Sequence, residues 1–146
     1  MDGDDRILLF LTRDSLGKWP SFWMTPGGGL EQSESFAEAA RRELLEETGI
    51  SEVELGPCVW QRDCVSWYSG SPVHVVEEYF VGRTATTVID TTGQLEYELR
   101  DLTEARWWAI EEILASADDF QPAELGMLLH ELLANGPAET PVALEL

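Results

Sequence analysis

The stretch from Pro26 to Ile50 decides the fold of this chain, and it reads PGGGLEQSESFAEAARRELLEETGI. Ser35 is a suitable N-cap for a helix, and Glu38, three residues later, completes a capping box. Gly49 is typical of a helix C-terminus, because glycine adopts the left-handed conformation that ends a helix. The sequence therefore predicts a helix from Ser35 to Thr48, entered from a glycine-rich loop.

Glu43, Glu46 and Glu47 crowd one sector of the predicted helix. They lie beside the apolar stripe that helical periodicity predicts for Phe36, Ala37, Ala40, Leu44 and Thr48. Like charges at this spacing repel, and carboxylates beside buried surface are costly unless they are paired or bind a cation. Oxygen ligands favour a hard ion, Mg²⁺ or Mn²⁺. The alternative is a solvated helix face on which Arg42 pairs with the carboxylates.

The loop before the helix, Pro26–Gly29, adds weight to the cation hypothesis. Glycine has no Cβ, so Gly27, Gly28 and Gly29 let the backbone approach a ligand closely. Their carbonyl oxygens could also complete the shell of a metal ion. A run of glycines alone is usually only a turn, so the prediction depends on the loop and the helix together.

The loop and helix together resemble the signature of the Nudix hydrolases, G-x5-E-x7-R-E-U-x-E-E-x-G-U, in which U is a bulky aliphatic residue. All nine fixed positions match, and they are Gly28, Glu34, Arg42, Glu43, Leu44, Glu46, Glu47, Gly49 and Ile50. The resemblance implies a hydrolase in which water attacks phosphorus in a nucleoside diphosphate linked to another moiety, with Mg²⁺ or Mn²⁺ as cofactor. A looser resemblance extends over residues 6–116.

By position, the resemblance implies that Glu43, Glu46 and Glu47 are metal ligands, one of which also orients or deprotonates the water. The carbonyl of Gly27 or Gly28 would be a further ligand. Arg42 would hold Glu43 or Glu46 in place, Glu34 would support the loop, and Gly49 would end the helix. Family members often use another acid outside the signature. The candidates are Glu96, Glu98, Asp101 and Glu104, of which Glu98 is preferred.

The resemblance implies an α+β fold, an α/β/α sandwich around a mixed β-sheet, in a single domain over residues 1–136. Short apolar or β-branched runs predict strands at 6–12, 22–25, 53–65, 73–83 and 105–110, and further helices at 110–116 and 122–134. Residues 137–146 are expected to be a loose tail. Relatives usually have a strand before the one at Arg6, so the first strand is expected to be short or missing. An uncovered sheet edge favours a homodimer.

Composition limits the possible partners. Nine Lys and Arg against 28 Asp and Glu give a net charge of −19, which makes nucleic acid an unlikely ligand and argues against binding to an anionic membrane. No apolar run is long enough for a membrane helix, and the acidic N-terminus is not a signal peptide. Cys58 and Cys64 do not form a disulfide framework. A cytoplasmic protein with reduced thiols is expected.

Aromatic residues suggest where a nucleobase could stack. Of the six tryptophans, Trp19, Trp23, Trp67, Trp107 and Trp108 lie in predicted loops or short strands. Trp23 is the best stacking candidate and Phe22 the next, and core packing is the alternative for each. Gly29 could let the substrate approach the backbone. Within the family, a tyrosine at the position of Tyr68 suggests dinucleoside polyphosphates, whereas the proline that suggests ADP-ribose is replaced by Ser66.

The expected substrate is thus a dinucleoside polyphosphate, an ADP-ribose type compound or an NTP or dNTP. Two other functions remain open. The chain could be a catalytically idle module that senses nucleotides, although a sensor need not keep all three glutamates. An isomerase of allylic diphosphates would need a catalytic cysteine near a glutamate, and neither Cys58 nor Cys64 lies in such a pattern.

Overall fold

We describe the fold from a computed structural model, for residues 1–13 and 20–145. The elements in chain order are β1 (Ile7–Thr12), β2 (Phe22–Met24), α1 (Phe36–Thr48), β3 (Glu54–Tyr68), β4 (Ser71–Arg83), α2 (Glu96–Asp101), β5 (Leu102–Trp108), α3 (Ile110–Ala115), β6 (Phe120–Gln121), α4 (Leu125–Asn135) and β7 (Val142–Ala143). The long helix and the main strands lie where the sequence predicts them. The elements that the sequence did not predict are short: α2, β6 and β7.

The strands form two mixed sheets, with the orders β5-β1-β2-β6 and β4-β3-β7. In the first sheet, β1 pairs antiparallel with β2 and β5, and β6 pairs in parallel with β2. In the second sheet, β3 pairs antiparallel with β4 and in parallel with β7. The α+β class is confirmed, while the mixed sheet that the sequence predicted as one layer is divided into two in the structure.

The hydrophobic core lies between these sheets and the C-terminal helices. Trp108 packs edge-on against Trp23 and Phe120, with ring centroids 5.0 and 5.4 Å apart. Leu125 and Leu129 of α4 are fully buried in the same cluster. These two leucines lie four residues apart, so they are on the same face of α4, which packs in the core.

The two ends of the chain lie against the second sheet. The amino group of Met1 donates to the carbonyl of Gly82, and the N–H of Thr84 donates to the carbonyl of Met1. Residues 1–6 contain no strand. At the other end, β7 pairs with β3, and the N–H of Leu144 donates to the carbonyl of Gln61 at 2.8 Å. The looseness expected for residues 137–146 stays a prediction, although part of this tail pairs with a strand.

Within residues 1–13 and 20–145, no helix has both the length and the apolar character that crossing a bilayer requires. Both cysteines are free thiols, Cys58 half-buried and Cys64 buried. Asp2 is buried near the start of the chain, where its carboxylate accepts the main-chain N–H groups of Asp4 and Arg6. Burial alone would raise the pKa of Asp2, but these hydrogen bonds and the Arg6 guanidinium lower it.

Candidate active site

Helix α1 and the loop before it are joined through local caps. The Ser35 hydroxyl accepts the N–H of Glu38, and the Glu38 carboxylate accepts the N–H of Ser35 at 2.8 Å, so the predicted capping box is present. Gly49 ends the helix in the left-handed conformation, with φ of 72°. A Cβ at Gly49 would also lie 2.9 Å from the side chain of Asp90. Glycine is therefore required at this position for its conformation and for its size.

The glycine loop packs directly on the carboxylates of α1. The N–H of Gly27 donates to the Glu47 carboxylate at 2.9 Å. A Cβ on Gly28 would lie 2.3 Å from Oε1 of Glu43, so no larger residue fits without moving that carboxylate. The loop thus has the close backbone approach that the glycines predicted, and the groups it approaches are the glutamates of the helix.

Arg42 connects the loop to the helix through a dense set of hydrogen bonds. Its Nε and Nη2 form a bidentate pair with Glu34 at 2.9 and 3.0 Å. Nη1 donates to Glu43 at 2.9 Å and to Glu46 at 3.3 Å, and Nη2 also donates to the carbonyl of Gly29 at 2.9 Å. The planar guanidinium suits this role, because its donors can engage several acceptors in fixed directions. Arg42 therefore orients both Glu34 and the helix carboxylates.

Glu98 reaches the same place from α2, which follows a long loop. The side chain of Gln94 donates to the carbonyl of Glu47 at 3.2 Å, and Gln94 is buried. A Cβ on Gly93 would lie 2.7 Å from the carbonyl of Glu46, so this loop fits tightly on the end of α1. The Glu98 carboxylate accepts the N–H of Leu95 at 2.7 Å, at the start of α2. Gln94 and Gly93 lie in a polar loop with no pattern that would have identified them.

The structure brings three buried carboxylates together. Glu43, Glu47 and Glu98 each offer an oxygen, and these oxygens lie within 4.8 Å of one another. The three residues are 6%, 4% and 6% exposed. Glu46 is half-buried and lies beside this group, where it pairs with Arg42. Glu98, which the sequence analysis preferred among the candidate acids outside the signature, thus lies with the helix glutamates.

The electrostatics of this cluster are unfavourable without a cation. The pKa of Glu47 is raised to about 8, mainly by burial and in part by the charges of Glu43, Glu98 and Glu46, while the hydrogen bond from Gly27 opposes the shift. Burial also raises the pKa of Glu43, and Arg42 opposes that shift. By contrast, the hydrogen bonds from Arg42 lower the pKa of Glu34. Arg42 and the N–H of Gly27 therefore compensate only part of the negative charge that the buried carboxylates carry.

This arrangement fits a divalent hard cation. The donors are carboxylate oxygens that converge from two helices, and Gly28 lies so close beside them that a Cβ there would clash with Glu43. Such oxygen-rich sites favour Mg²⁺ or Mn²⁺ over softer metals. A cation would also relieve the repulsion among buried like charges. The alternative of a fully solvated helix face does not describe Glu43 and Glu47, which are buried.

The buried face of α1 differs from the predicted stripe. Its buried residues are Ala39, Glu43, Glu47 and Thr48, whereas Phe36, Ala37, Ala40 and Leu44 are half-buried. The prediction followed hydrophobicity, but the loop 26–29 and the segment around Gln94 cover the carboxylate face. The stripe was therefore correct only at Thr48, which is fully buried.

The predicted base-stacking residues have different environments. Trp23 is 4% exposed within the core, and its indole N–H donates to Asp118 at 3.1 Å. The expectation that Trp23 stacks a base is corrected, because the core encloses its ring. Phe22 is half-buried at the start of β2 and stays a prediction. Trp19 and the side chain of Tyr68 lie outside the described part of the structure.

The remaining tryptophans of that set differ in their burial. Trp108 is buried in the core, and Trp107 donates its indole N–H to the carbonyl of Thr87 at 3.0 Å. Trp67, at the tip of the β3–β4 hairpin, is 72% exposed. Core packing, the alternative that the sequence left open, therefore describes Trp23 and Trp108.

Comparison with known proteins agrees with this geometry. A family model described as NUDIX domain matches residues 1–129. An RNA pyrophosphohydrolase of Wolbachia sp. subsp. Drosophila simulans (strain wRi) is 31% identical over 117 residues, which cover 69% of this chain and 67% of that protein.

Solved structures share the fold. The crystal structure of C. elegans Ap4A hydrolase has a TM-score of 0.54 and 23% identity, covering 88% of this chain and 84% of that one. The solution structure of the E. coli ORF135 protein has a TM-score of 0.57 and 25% identity, covering 94% and 89%. Together with the family match and the carboxylate site, these comparisons show that the chain belongs to the NUDIX domain family and is a Nudix pyrophosphohydrolase.

Proposed function

We propose that this protein uses Mg²⁺ or Mn²⁺ to hydrolyse a pyrophosphate bond in a nucleoside diphosphate linked to another moiety. The observation that carries the proposal is the convergence of Glu43, Glu47 and Glu98, whose buried oxygens lie within 4.8 Å of one another. Phosphoryl substitution requires positioning and charge neutralisation more than a strong nucleophile. The site offers convergent oxygen ligands for the cation that would supply this neutralisation.

The proposed roles of the residues in this hydrolysis follow from where they lie. Glu43, Glu47 and Glu98 would hold the cation, with the carbonyl of Gly27 or Gly28 as a further ligand. When bound, the ion would neutralise phosphate charge and favour ionisation of a water molecule.

Glu46 is the helix glutamate best placed to orient or deprotonate the attacking water, because it is half-buried and close to solvent. Arg42 is a positioning residue, since it holds Glu43 and Glu46 through one guanidinium nitrogen. Glu34 anchors Arg42 in turn.

The substrate that we propose is a small nucleotide derivative: a dinucleoside polyphosphate, an ADP-ribose type compound or an NTP or dNTP. A net charge of −19 disfavours a long polyanion, because few cations are available to bind its phosphates. The Wolbachia relative is named an RNA pyrophosphohydrolase, so RNA belongs among the substrates tested. Phe22, Gly29 and Tyr68 remain the candidates for contacting the substrate. We further propose a cytoplasmic location.

A phosphate-release assay tests the proposal. The protein is incubated with Mg²⁺ or Mn²⁺ and a panel of NTPs, dNTPs, ADP-ribose, NADH, diadenosine polyphosphates, sugar nucleotides and triphosphorylated or capped RNA. We expect release from a small nucleotide, and we expect a chelator to abolish it. The Glu47→Gln variant tests the site, and Glu52→Gln, which removes an exposed carboxylate outside it, is the matched control.

Release that survives both the chelator and Glu47→Gln would contradict the proposed site. Release from RNA alone would contradict the proposed substrate class while leaving the metal site intact. Nucleotide binding by calorimetry, with no release across the panel, would favour the sensing module instead.

A further inference from the structure

The last turn of α1 is capped by a distant segment, residues 90–94. The N–H of Asp90 donates to the carbonyl of Thr48 at 2.8 Å, and the side-chain amide of Gln94 donates to the carbonyl of Glu47 at 3.2 Å. The last four carbonyls of a helix have no partner within that helix, so each of these bonds satisfies a group that would otherwise need water. The segment is therefore fixed to the end of the helix that carries the glutamates of the site.

Of these two bonds, only the one from Gln94 depends on the identity of a side chain. Asp90 donates from its main chain, which any residue except proline can do. Gln94 is 8% exposed, so its amide is removed from water and needs the carbonyl that it meets. The donor is also neutral, whereas a carboxylate at this position would meet the negative end of the helix dipole. The identity of residue 94 therefore decides whether this bond forms.

Gln94 is linked to Glu98 through the start of α2. The next residue, Leu95, donates its main-chain N–H to the Glu98 carboxylate at 2.7 Å. An oxygen of Glu98 lies within 4.8 Å of an oxygen of Glu47. A path of contacts thus starts at the main chain of Glu47, passes through Gln94 and Leu95, and ends opposite the carboxylate of Glu47. A displacement of Gln94 is expected to change the distance between the two carboxylates.

Repulsion within the site makes this bond important. Glu43, Glu47 and Glu98 are buried together, and their carboxylates repel one another when no cation lies between them. Glu43 and Glu47 share one helix, so Glu98 is the residue of the three that can move away with its own segment. A bond that holds Glu98 in place before the cation binds reduces the cost of ordering the ligands.

We propose that Gln94 is a positioning residue for the cation site and that it acts through Glu98. The proposal rests on the function proposed above, in which Glu43, Glu47 and Glu98 hold Mg²⁺ or Mn²⁺. In this role Gln94 is not itself a ligand, and it fixes where the Glu98 carboxylate lies relative to Glu47. Residues that support the ligands of a metal ion in this way commonly change its affinity by roughly 10- to 100-fold.

Mn²⁺ binding to the full chain, measured by calorimetry without substrate, tests the proposal. Gln94→Met keeps the length of the side chain and removes the donor, and we expect the Mn²⁺ affinity to fall at least about tenfold. Gln61→Met is the matched control, because Gln61 is exposed and donates to Glu78 at 3.1 Å on strands that supply no ligand to the proposed site. It should keep the Mn²⁺ affinity within about twofold.

A double-mutant comparison tests whether Gln94 acts through Glu98. Glu98→Gln removes the charge of the ligand, and it should lower the Mn²⁺ affinity at least as much as Gln94→Met does. In the Glu98→Gln background, we expect Gln94→Met to change the remaining affinity by less than about twofold, because the group that it positions is lost. If the two residues acted independently, their effects would multiply.

The possible results separate the role of Gln94 from the cation site itself. Equal losses from Gln94→Met in the two backgrounds would overturn the positioning role, and so would a larger loss from Gln94→Met than from Glu98→Gln. If the parent protein binds Mn²⁺ and Gln94→Met binds it equally well, the role is refuted while the cation site stands. If the parent protein does not bind Mn²⁺, the proposed function and this role fail together.

A second variant covers the case in which Gln94→Met does not fold. Gln94→Asn keeps a polar amide, but its side chain is one methylene shorter and reaches less far toward the carbonyl of Glu47. We expect the same loss of Mn²⁺ affinity, at least about tenfold. Full affinity in Gln94→Asn would refute the positioning role.

Discussion

The two long faces of α1 reverse the usual relation between polarity and burial. On one face, Glu43 and Glu47 are 6% and 4% exposed. On the neighbouring face, Phe36 and Leu44 are half-buried and line a cavity of about 620 Å³. A surface helix normally buries its apolar stripe and exposes its charges. The difference shows that tertiary neighbours decide which face of this helix is covered.

The reversal has a physical cost that differs between the faces. Burying carboxylates is costly unless hydrogen bonds or counter-charges compensate, and here Arg42 and the N–H of Gly27 do so only in part. The apolar face loses only the stabilisation that complete burial of its side chains would add. The carboxylate face is therefore organised for binding a cation, and the apolar face for packing that the described chain leaves incomplete.

The largest effect is expected for Glu47→Gln, which keeps the shape of the side chain and removes its charge. Turnover should fall at least about a hundredfold, because contacts to a transition-state charge are lost. In chelator and above pH 8, where the Glu47 carboxyl is ionised, the melting temperature should rise by roughly 3 °C, because an uncompensated buried charge is removed. Phosphate release and calorimetry measure the two effects. Normal turnover with a lower melting temperature would mean that Glu47 is structural.

Arg42→Lys tests whether the guanidinium geometry holds the carboxylate face. Lysine cannot form the bidentate pair with Glu34 and still reach Glu43, so turnover should fall about tenfold. The free energy of unfolding, measured in urea, should fall by about 2 kcal/mol. The loss stays moderate because Arg42 is partly exposed. The neighbouring Arg41 is exposed, and Arg41→Lys should change stability by less than about 0.5 kcal/mol. Equal effects of the two variants would refute the positioning role.

Gly28→Ala tests the contact between the loop and the carboxylate face. The new Cβ would lie 2.3 Å from Glu43 Oε1 and push that carboxylate aside. We expect Mn²⁺ affinity to fall about tenfold by calorimetry, a change equivalent to about 1.4 kcal/mol. A Cβ on Gly29 meets no atom within 4 Å, so Gly29→Ala should keep the affinity within about twofold. Matching losses in both variants would indicate a general effect on loop flexibility.

The smallest effect is expected on the apolar face. Leu44→Ala should lower the free energy of unfolding by about 1 kcal/mol, because the side chain is half-buried and lines the cavity. Leu129→Ala removes a side chain that is 1% exposed in the core, and it should cost about 3 kcal/mol. Urea unfolding measures both. Similar losses would show that Leu44 is fully packed in solution.

Much of the site could be predicted because its signals are local. The caps of α1 depend on residues only a few positions apart, Ser35 with Glu38 and the single residue Gly49. Arg42 and the glutamates belong to one short motif, so their proximity follows from the helix itself.

Other features depend on contacts between distant parts of the chain. Glu98 was one of several acids with the same local appearance, and Gln94 and Gly93 place it by packing on α1. Trp23 was predicted to stack a base, but its partners Trp108 and Asp118 lie far along the sequence. The strands β6 and β7 are two residues each and are defined by their pairing with β2 and β3.

By itself, the sequence determined the family and the helix with its caps, and it predicted a carboxylate site for a hard divalent cation. These follow from short-range hydrogen bonding, helical periodicity and the ligand preferences of the metal. Only the tertiary structure decided that Glu98 joins Glu43 and Glu47, that Trp23 belongs to the core, and that the strands form two sheets. Each of these features depends on contacts between segments that are distant in the sequence, because burial and main-chain pairing arise only where such segments pack together.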